Sequence, residues 1–152
     1  MIRRYHFAED HLFDSAILGL VEDAHEVRTQ SVIRHMVVDG REVDVVVLAE
    51  NFGGSLRTFG FELKVERARE AIAQAEERAP SFHYFYVVLN LTPSNLLDSV
   101  GGKRLAKLVL SGIGVILRRP CLQIFLRAKF NPRPRWRPTT LPSWEGGDVI
   151  RS

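Results

Sequence analysis

The chain has 152 residues, 45% hydrophobic and 26% charged, with one cysteine and a net charge of +3. That length suits one domain with one core, and no apolar run approaches the roughly 20 residues a helix needs to cross a bilayer, so membrane association is not expected. The opening MIRRYHFAEDH reaches acids before an apolar stretch of signal-peptide length develops, and the lone Cys121 excludes an internal disulfide, so we expect a cytoplasmic protein with Cys121 as a small buried filler.

In chain order, Phe13, Ala16, Ile17, Leu20, Val21 and Ala24 recur at helical spacing, predicting an amphipathic helix over residues 9 to 24 with Glu9 at the edge of its buried stripe. VRTQSVIRHMVV alternates as a half-exposed strand and closes at Asp39-Gly40, a hairpin turn signal. EVDVVVLAE is the next strand. Between Val43 and Leu48 only Asp44 is polar, the pattern of a strand covered on both faces. The turn ENFGGSLR leads into TFGFELKV, where Phe59, Phe61, Leu63 and Val65 point one way and Thr58, Gly60, Glu62 and Lys64 the other.

ERAREAIAQAEERAP places Ala68, Ala71, Ile72, Ala75 and Ala79 on one side and stops at a proline, predicting a helix with a narrow seam that can lie close on a sheet. SFHYFYVVLNL follows as a buried strand. Strand, crossover helix and strand make a right-handed βαβ unit, so residues 58–65 and 82–91 should run parallel. TPSNLLDSVGGKRLAKLVLSG opens on a Thr-Pro cap signal and its helix is interrupted at Gly101-Gly102. GVILRR and LQIFLRAKF are two more strands. Residues 1–130 thus form the folded domain, and 131–152, rich in Pro and Gly, a basic tail that wraps over the surface or stays mobile.

An ionised Asp44 in such a strand loses its water and costs several kcal/mol unless something pairs with it. A divalent cation is an efficient partner, because Mg²⁺ prefers hard oxygen ligands and commonly takes one or two carboxylates. If the hairpin sets the start of one strand against the end of the next, Asp44 and Glu62 reach one ion and Lys64 stands beside a metal-bound water, as metal-assisted phosphodiester hydrolysis requires. The plain alternative is a surface Glu62–Lys64 ion pair worth less than about 1 kcal/mol, with Asp44 at the wet end of its strand. His6, His11, His25, His35 and His83 form no H-x-x-x-H or H-E-x-x-H set, so a zinc site is not expected. Tyr84 and Tyr86 read as core and sheet-face residues rather than stacking platforms.

Charge is divided unevenly. Residues 1–80 hold 10 Lys and Arg against 15 Asp and Glu, whereas residues 81–152 hold 11 against 3. A net of −5 beside a net of +8 suggests a carboxylate site next to an anion-binding surface. Arg118, Arg119, Arg127, Lys129, Arg133, Arg135 and Arg137, with Trp136 among them and no acid between, suit a phosphate backbone track; the alternative is a solvated tail.

The order helix, strand, Asp-bearing strand, Glu-x-Lys strand, helix, apolar strand, with VD at 43–44 and ELK at 62–64, resembles the PD-(D/E)XK nuclease superfamily over roughly residues 9–126, most closely the archaeal Holliday-junction-resolvase-type enzymes. Val43 stands where the superfamily's name has proline. The resemblance implies an α/β, restriction-endonuclease-like fold: a central mixed sheet flanked by helices with an αβββαβ core. It implies Asp44, Glu62 and the main-chain carbonyl of Leu63 as ligands of Mg²⁺ or Mn²⁺, Lys64 as the catalytic cation, Gln74 as the helix glutamine, and Glu9, or else Asp10, as the first-helix acid. The implied activity is metal-dependent hydrolysis of DNA in repair or recombination, by a chain that can act as a homodimer. A catalytically silent DNA-binding module on the same fold and a nuclease acting on RNA are the alternatives.

Overall fold

The computed structural model describes residues 9–138 and 149–150. Seven strands form one sheet: β1 Val27–Val38, β2 Arg41–Asn51, β3 Leu56–Lys64, β4 Tyr84–Leu89, β5 Gly114–Leu117, β6 Gln123–Leu126 and β7 Val149–Ile150. Their spatial order is β6-β5-β4-β3-β2-β1-β7. The first three pair antiparallel as a meander, β3, β4 and β5 run parallel, and β6 and β7 are antiparallel edges. The fold is therefore α/β with a mixed sheet, and the β3–β4 crossover is the expected parallel unit.

Among the described residues four helices cover it: α1 Ser15–His25, α2 Ala68–Arg78, α3 Pro93–Val100 and α4 Gly102–Ser111. α1 starts later than the hydrophobic spacing predicts. Asp14 caps it, its carboxylate accepting from the N–H groups of Ala16 at 3.1 Å and Ile17 at 3.2 Å, and a cap of this kind ends whatever helix precedes it. Residues 9–10 are helical and 11–12 turn the chain before the cap, with Leu12 N donating to Glu9 O at 2.9 Å. Between α3 and α4, Gly101 holds φ +88°, a conformation that L side chains rarely adopt, and the predicted interruption falls there.

The two sheet faces bury two cores. On one, α2, α3 and α4 lay Ala71, Ile72, Ala75, Leu96 and Leu108 over Val46, Leu48, Val87 and Val115. On the other, α1 lays Ile17 and Val21 over Val45, Val47, Phe59, Phe61 and Leu63. Phe59, Phe61 and Leu63 thus share one side, as the period of two requires. Gly60 is needed on the α2 side, because a Cβ there would sit 2.5 Å from the Phe85 ring.

Residues 131–138 lie on the molecule: Asn131 N donates to His83 O at 2.8 Å, Arg135 N to Pro80 O at 3.0 Å and Trp136 N to Ser81 O at 3.1 Å. The rest of the predicted tail, apart from β7, lies outside the described residues. The last two long strands are shorter than expected, so Arg118 and Arg119 fall in the turn after β5 and residues 127–130 follow β6 as irregular chain. Cys121 sits in that same turn and is exposed; the expectation of a buried filler fails because the turn leaves the core. Among the described residues no helix is long and apolar enough to cross a membrane.

Candidate functional site

The β2–β3 ladder pairs Val45 with Phe61 and Val46 with Gly60. One step further, the same register sets Asp44 opposite Glu62 on the α2 side of the sheet. Direct cross-strand neighbours hold their Cβ atoms about 4.5–5.5 Å apart, so the two carboxyls meet. Asp44 is fixed there by its own hydrogen bond, Oδ2 accepting from Leu63 N–H at 2.8 Å. On the other side, β1 pairs Arg34 with Val45 and Met36 with Val43. The residue skipped is His35, at φ +55°, and the register would place it opposite Asp44. His35, Asp44 and Glu62 therefore stand in a row across three strands.

Around this row the acids and cations alternate. Arg78 Nε lies 3.2 Å from Glu62 Oε1. Lys64 Nζ lies 3.7 Å from Glu70 and 4.0 Å from Glu9. Glu70, Gln74 and Arg78 follow one another at four-residue spacing on α2, so Gln74 shares the helix face that meets Glu62 and Lys64. The Asp10 carboxylate accepts from His35 Nε2–H at 3.1 Å and also lies 3.8 Å from Arg34 Nη1. The five residues assigned to catalysis from sequence, Glu9, Asp44, Glu62, Lys64 and Gln74, thus border one region, with Asp10 a neighbour of Glu9 on the His35 side.

Electrostatics follow from this placement. Burial first, then the facing Asp44 charge, push the Glu62 carboxyl up to about 9, against the pull of Arg78 and Lys64. Glu62 has only 4% of its side chain exposed, and its Oε1 accepts no hydrogen bond, because Arg78 faces it as an ion pair outside hydrogen-bond geometry. Burial lowers the His35 pKa, but the Asp10 hydrogen bond and the charges of Asp10, Glu42 and Asp44 outweigh it, so the net shift is upward from 6.5.

A divalent cation fits this chemistry. Asp44 and Glu62 face each other and a buried Glu62 oxygen lacks a hydrogen bond, so a dication would relieve the repulsion that helps to push the Glu62 carboxyl up. His35, Glu42 and Asp44 also offer ligand atoms within 4.8 Å of one another. Sequence reasoning missed His35, Glu42, Glu70 and Arg78. Glu70 and Arg78 stand four residues either side of Gln74, but their partners, like the meeting of His35 and Glu42 with Asp44, depend on hairpin register and on a helix docking over it.

The predicted basic residues divide. Arg118 is tied into the fold, its Nη1 donating to Leu12 O at 2.7 Å and its Nη2 to Asp14 Oδ2 at 3.0 Å. Arg119 Nε donates to Asn90 Oδ1 at 3.1 Å. Arg127, Lys129, Arg133, Arg135 and Arg137 are exposed. Trp136 is half-buried against Phe82, ring centroids 5.7 Å apart, so it braces the chain instead of offering a free face. Tyr86 is fully buried and Tyr84 half-buried, in keeping with core and sheet-face roles. Comparison with protein-family models, curated proteins and solved structures finds no match to this chain.

Proposed function

We propose that this chain is a Mg²⁺- or Mn²⁺-dependent deoxyribonuclease of the restriction-endonuclease-like type. The observation that carries the reading is the facing pair Asp44 and Glu62, with Lys64 two residues on along the same face of β3. The element order supports it: a helix, an antiparallel three-stranded meander, a second helix, and a strand parallel to the third.

In this reading Asp44, Glu62 and the carbonyl of Leu63 would hold the cation, which supplies a water acidic enough to act as nucleophile near neutral pH. Lys64 stabilises charge developing on the phosphate, in a site whose partial burial strengthens that interaction. Glu9 and Glu70 hold the Lys64 ammonium in place from two sides. Gln74 lies where it can orient the water or a phosphate oxygen. The exposed Arg127, Lys129, Arg133, Arg135 and Arg137 supply charge for the DNA backbone, and a homodimer would bring two sites to one duplex or branched substrate.

One observation favours a second reading, a DNA-binding module without turnover. Arg78 at 3.2 Å from Glu62 gives that carboxylate a permanent counter-charge, so a cation is not its only source of relief. Incubation of the purified protein with supercoiled, linear, single-stranded and four-way-junction DNA, and with RNA, in Mg²⁺, Mn²⁺ or chelator separates the two. We expect metal-dependent cutting of DNA that Lys64→Ala abolishes while binding is retained. Replacing Arg133, Arg135 and Arg137 together should weaken binding and reduce its salt slope by up to about 3. Binding without cutting in any ion favours the silent module, and cutting confined to RNA changes the substrate.

A further inference from the structure

We infer that His35, Glu42 and Asp44 form a second cation position, selective for a first-row transition-metal dication over Mg²⁺, and that Asp44 joins it to the Glu62 position. The inference rests on the hydrolytic reading only in sharing Asp44.

The three residues lie near the Asp39-Gly40 turn that closes the β1–β2 hairpin. Their ligand atoms, an imidazole nitrogen and two carboxylate oxygens, fall within 4.8 Å of one another, close enough to share one ion with little movement. The imidazole is aimed. Its Nε2 is engaged by Asp10 at 3.1 Å, and its Nδ1 faces Glu42 Oε2 at 3.5 Å. A carboxylate holding one ring nitrogen while the other points at an anionic cluster is the arrangement that fixes tautomer and orientation in metal-bound histidines. The backbone is special here too, since His35 adopts φ +55° between two residues, Arg34 and Met36, that both keep the β2 register.

Asp44 also has a neighbour on its other side. Glu62, whose buried Oε1 makes no hydrogen bond and has the Arg78 guanidinium 3.2 Å away as counter-charge, stands directly across from it, so Asp44 lies between an imidazole on β1 and a carboxyl on β3. Two cations bridged by one aspartate would satisfy this set, as in sites where paired ions clamp the attacking and leaving oxygens of a phosphate.

The donor chemistry then decides between ions. Mg²⁺ demands near-ideal octahedral oxygen coordination and keeps its waters. A nitrogen donor beside two carboxylates suits Mn²⁺, Co²⁺ or Zn²⁺ instead. At the Glu62 position, where only oxygens converge, either class of ion is accepted. Metal-supported cutting should therefore be better with Mn²⁺ than with Mg²⁺ alone.

The test is direct binding to the whole chain, with no substrate present. Mn²⁺ is titrated and free ion followed by its electron paramagnetic resonance signal, with Mg²⁺ as competitor; Co²⁺ absorption reports nitrogen coordination. We expect Mn²⁺ to remain at least half bound in a tenfold excess of Mg²⁺. His35→Asn, which tolerates the positive φ, should weaken Mn²⁺ at least tenfold, and Glu42→Gln likewise, while Tyr86→Phe on the far face changes nothing. Mn²⁺ displaced by equimolar Mg²⁺, or bound as tightly by both His35→Asn and Glu42→Gln as by wild type, overturns the inference; Glu42→Gln decides if His35→Asn does not fold. A protein that holds Mn²⁺ through His35 and cuts nothing refutes the nuclease reading alone. One that cuts with ions indifferent to His35 refutes this inference alone.

Discussion

Two polar pairs lie on opposite faces of the same sheet and are built on opposite terms. On the α1 side, His25 Nε2 and the Tyr86 hydroxyl are 2.6 Å apart, enclosed by the rings of Phe59 and Tyr84. Burial, with Arg127 adding to it, takes His25 down to about 4, and burial takes Tyr86 up to about 12. Both are uncharged at neutral pH and are joined through Nε2 and the hydroxyl, so the buried His25 Nδ1, which has no hydrogen bond, faces no like charge. On the α2 side, Asp44 and Glu62 are like in charge and face to face, and an oxygen of the more buried one has no hydrogen bond. The first pair stabilises the fold; the second opposes it unless a proton or a cation intervenes. Burial alone therefore does not mark a site. Burial combined with an unresolved conflict of charge does.

The largest test of this contrast is catalytic. Glu62→Gln should lower metal-dependent cleavage by about 10²–10³-fold, whereas Tyr86→Phe should stay within about twofold of wild type once folded, the distance between the two faces isolating them. Equal losses would mean that both pairs serve the same end. Stability should move the other way. Tyr86→Phe leaves His25 without its partner and should cost about 1–2 kcal/mol, a fall of several degrees in Tm. Glu62→Gln in metal-free protein above pH 9, where the Glu62 carboxyl is ionised, should instead raise Tm by a few degrees, because it removes a buried negative charge facing another.

The smallest effect is the pH slope. Glu62 is raised from 4.5 to about 9 in the folded protein, so its contribution is fully present below pH 4.5 and is lost as pH rises toward 9. Metal-free Tm should decline across that window more steeply in wild type than in Glu62→Gln. A saturating dication should reverse the trend, since it competes with the proton. Parallel curves for the two proteins would show that Glu62 does not carry the shift.

Much of this was readable from period and punctuation. The alternation in TFGFELKV put Glu62 and Lys64 on one face, the alanine seam at Ala71, Ile72 and Ala75 identified the helix above them, and Asp39-Gly40 closed the first hairpin where expected. The meeting of Asp44 with Glu62 needed the β2–β3 register, which the six apolar or glycine positions around them leave open by a residue. His35 escaped notice because a left-handed residue inside a strand leaves no trace in the hydrophobic pattern. Arg78 escaped because its partner lies across a helix–sheet contact, sixteen residues away in the chain. The start of α1 was the avoidable error: an aspartate before Ser15-Ala16-Ile17 is a readable cap.

The tether between Asp44 and the Leu63 amide has a further effect on assembly. Sliding β3 along β2 by a single position would invert its side chains, drive Glu62 and Lys64 against the phenylalanine-facing side under Ile17 and Val21, and break the tether. Such a misaligned chain is penalised twice and is chemically inert. Competence for reaction and correctness of strand alignment are consequently guaranteed by the same aspartate.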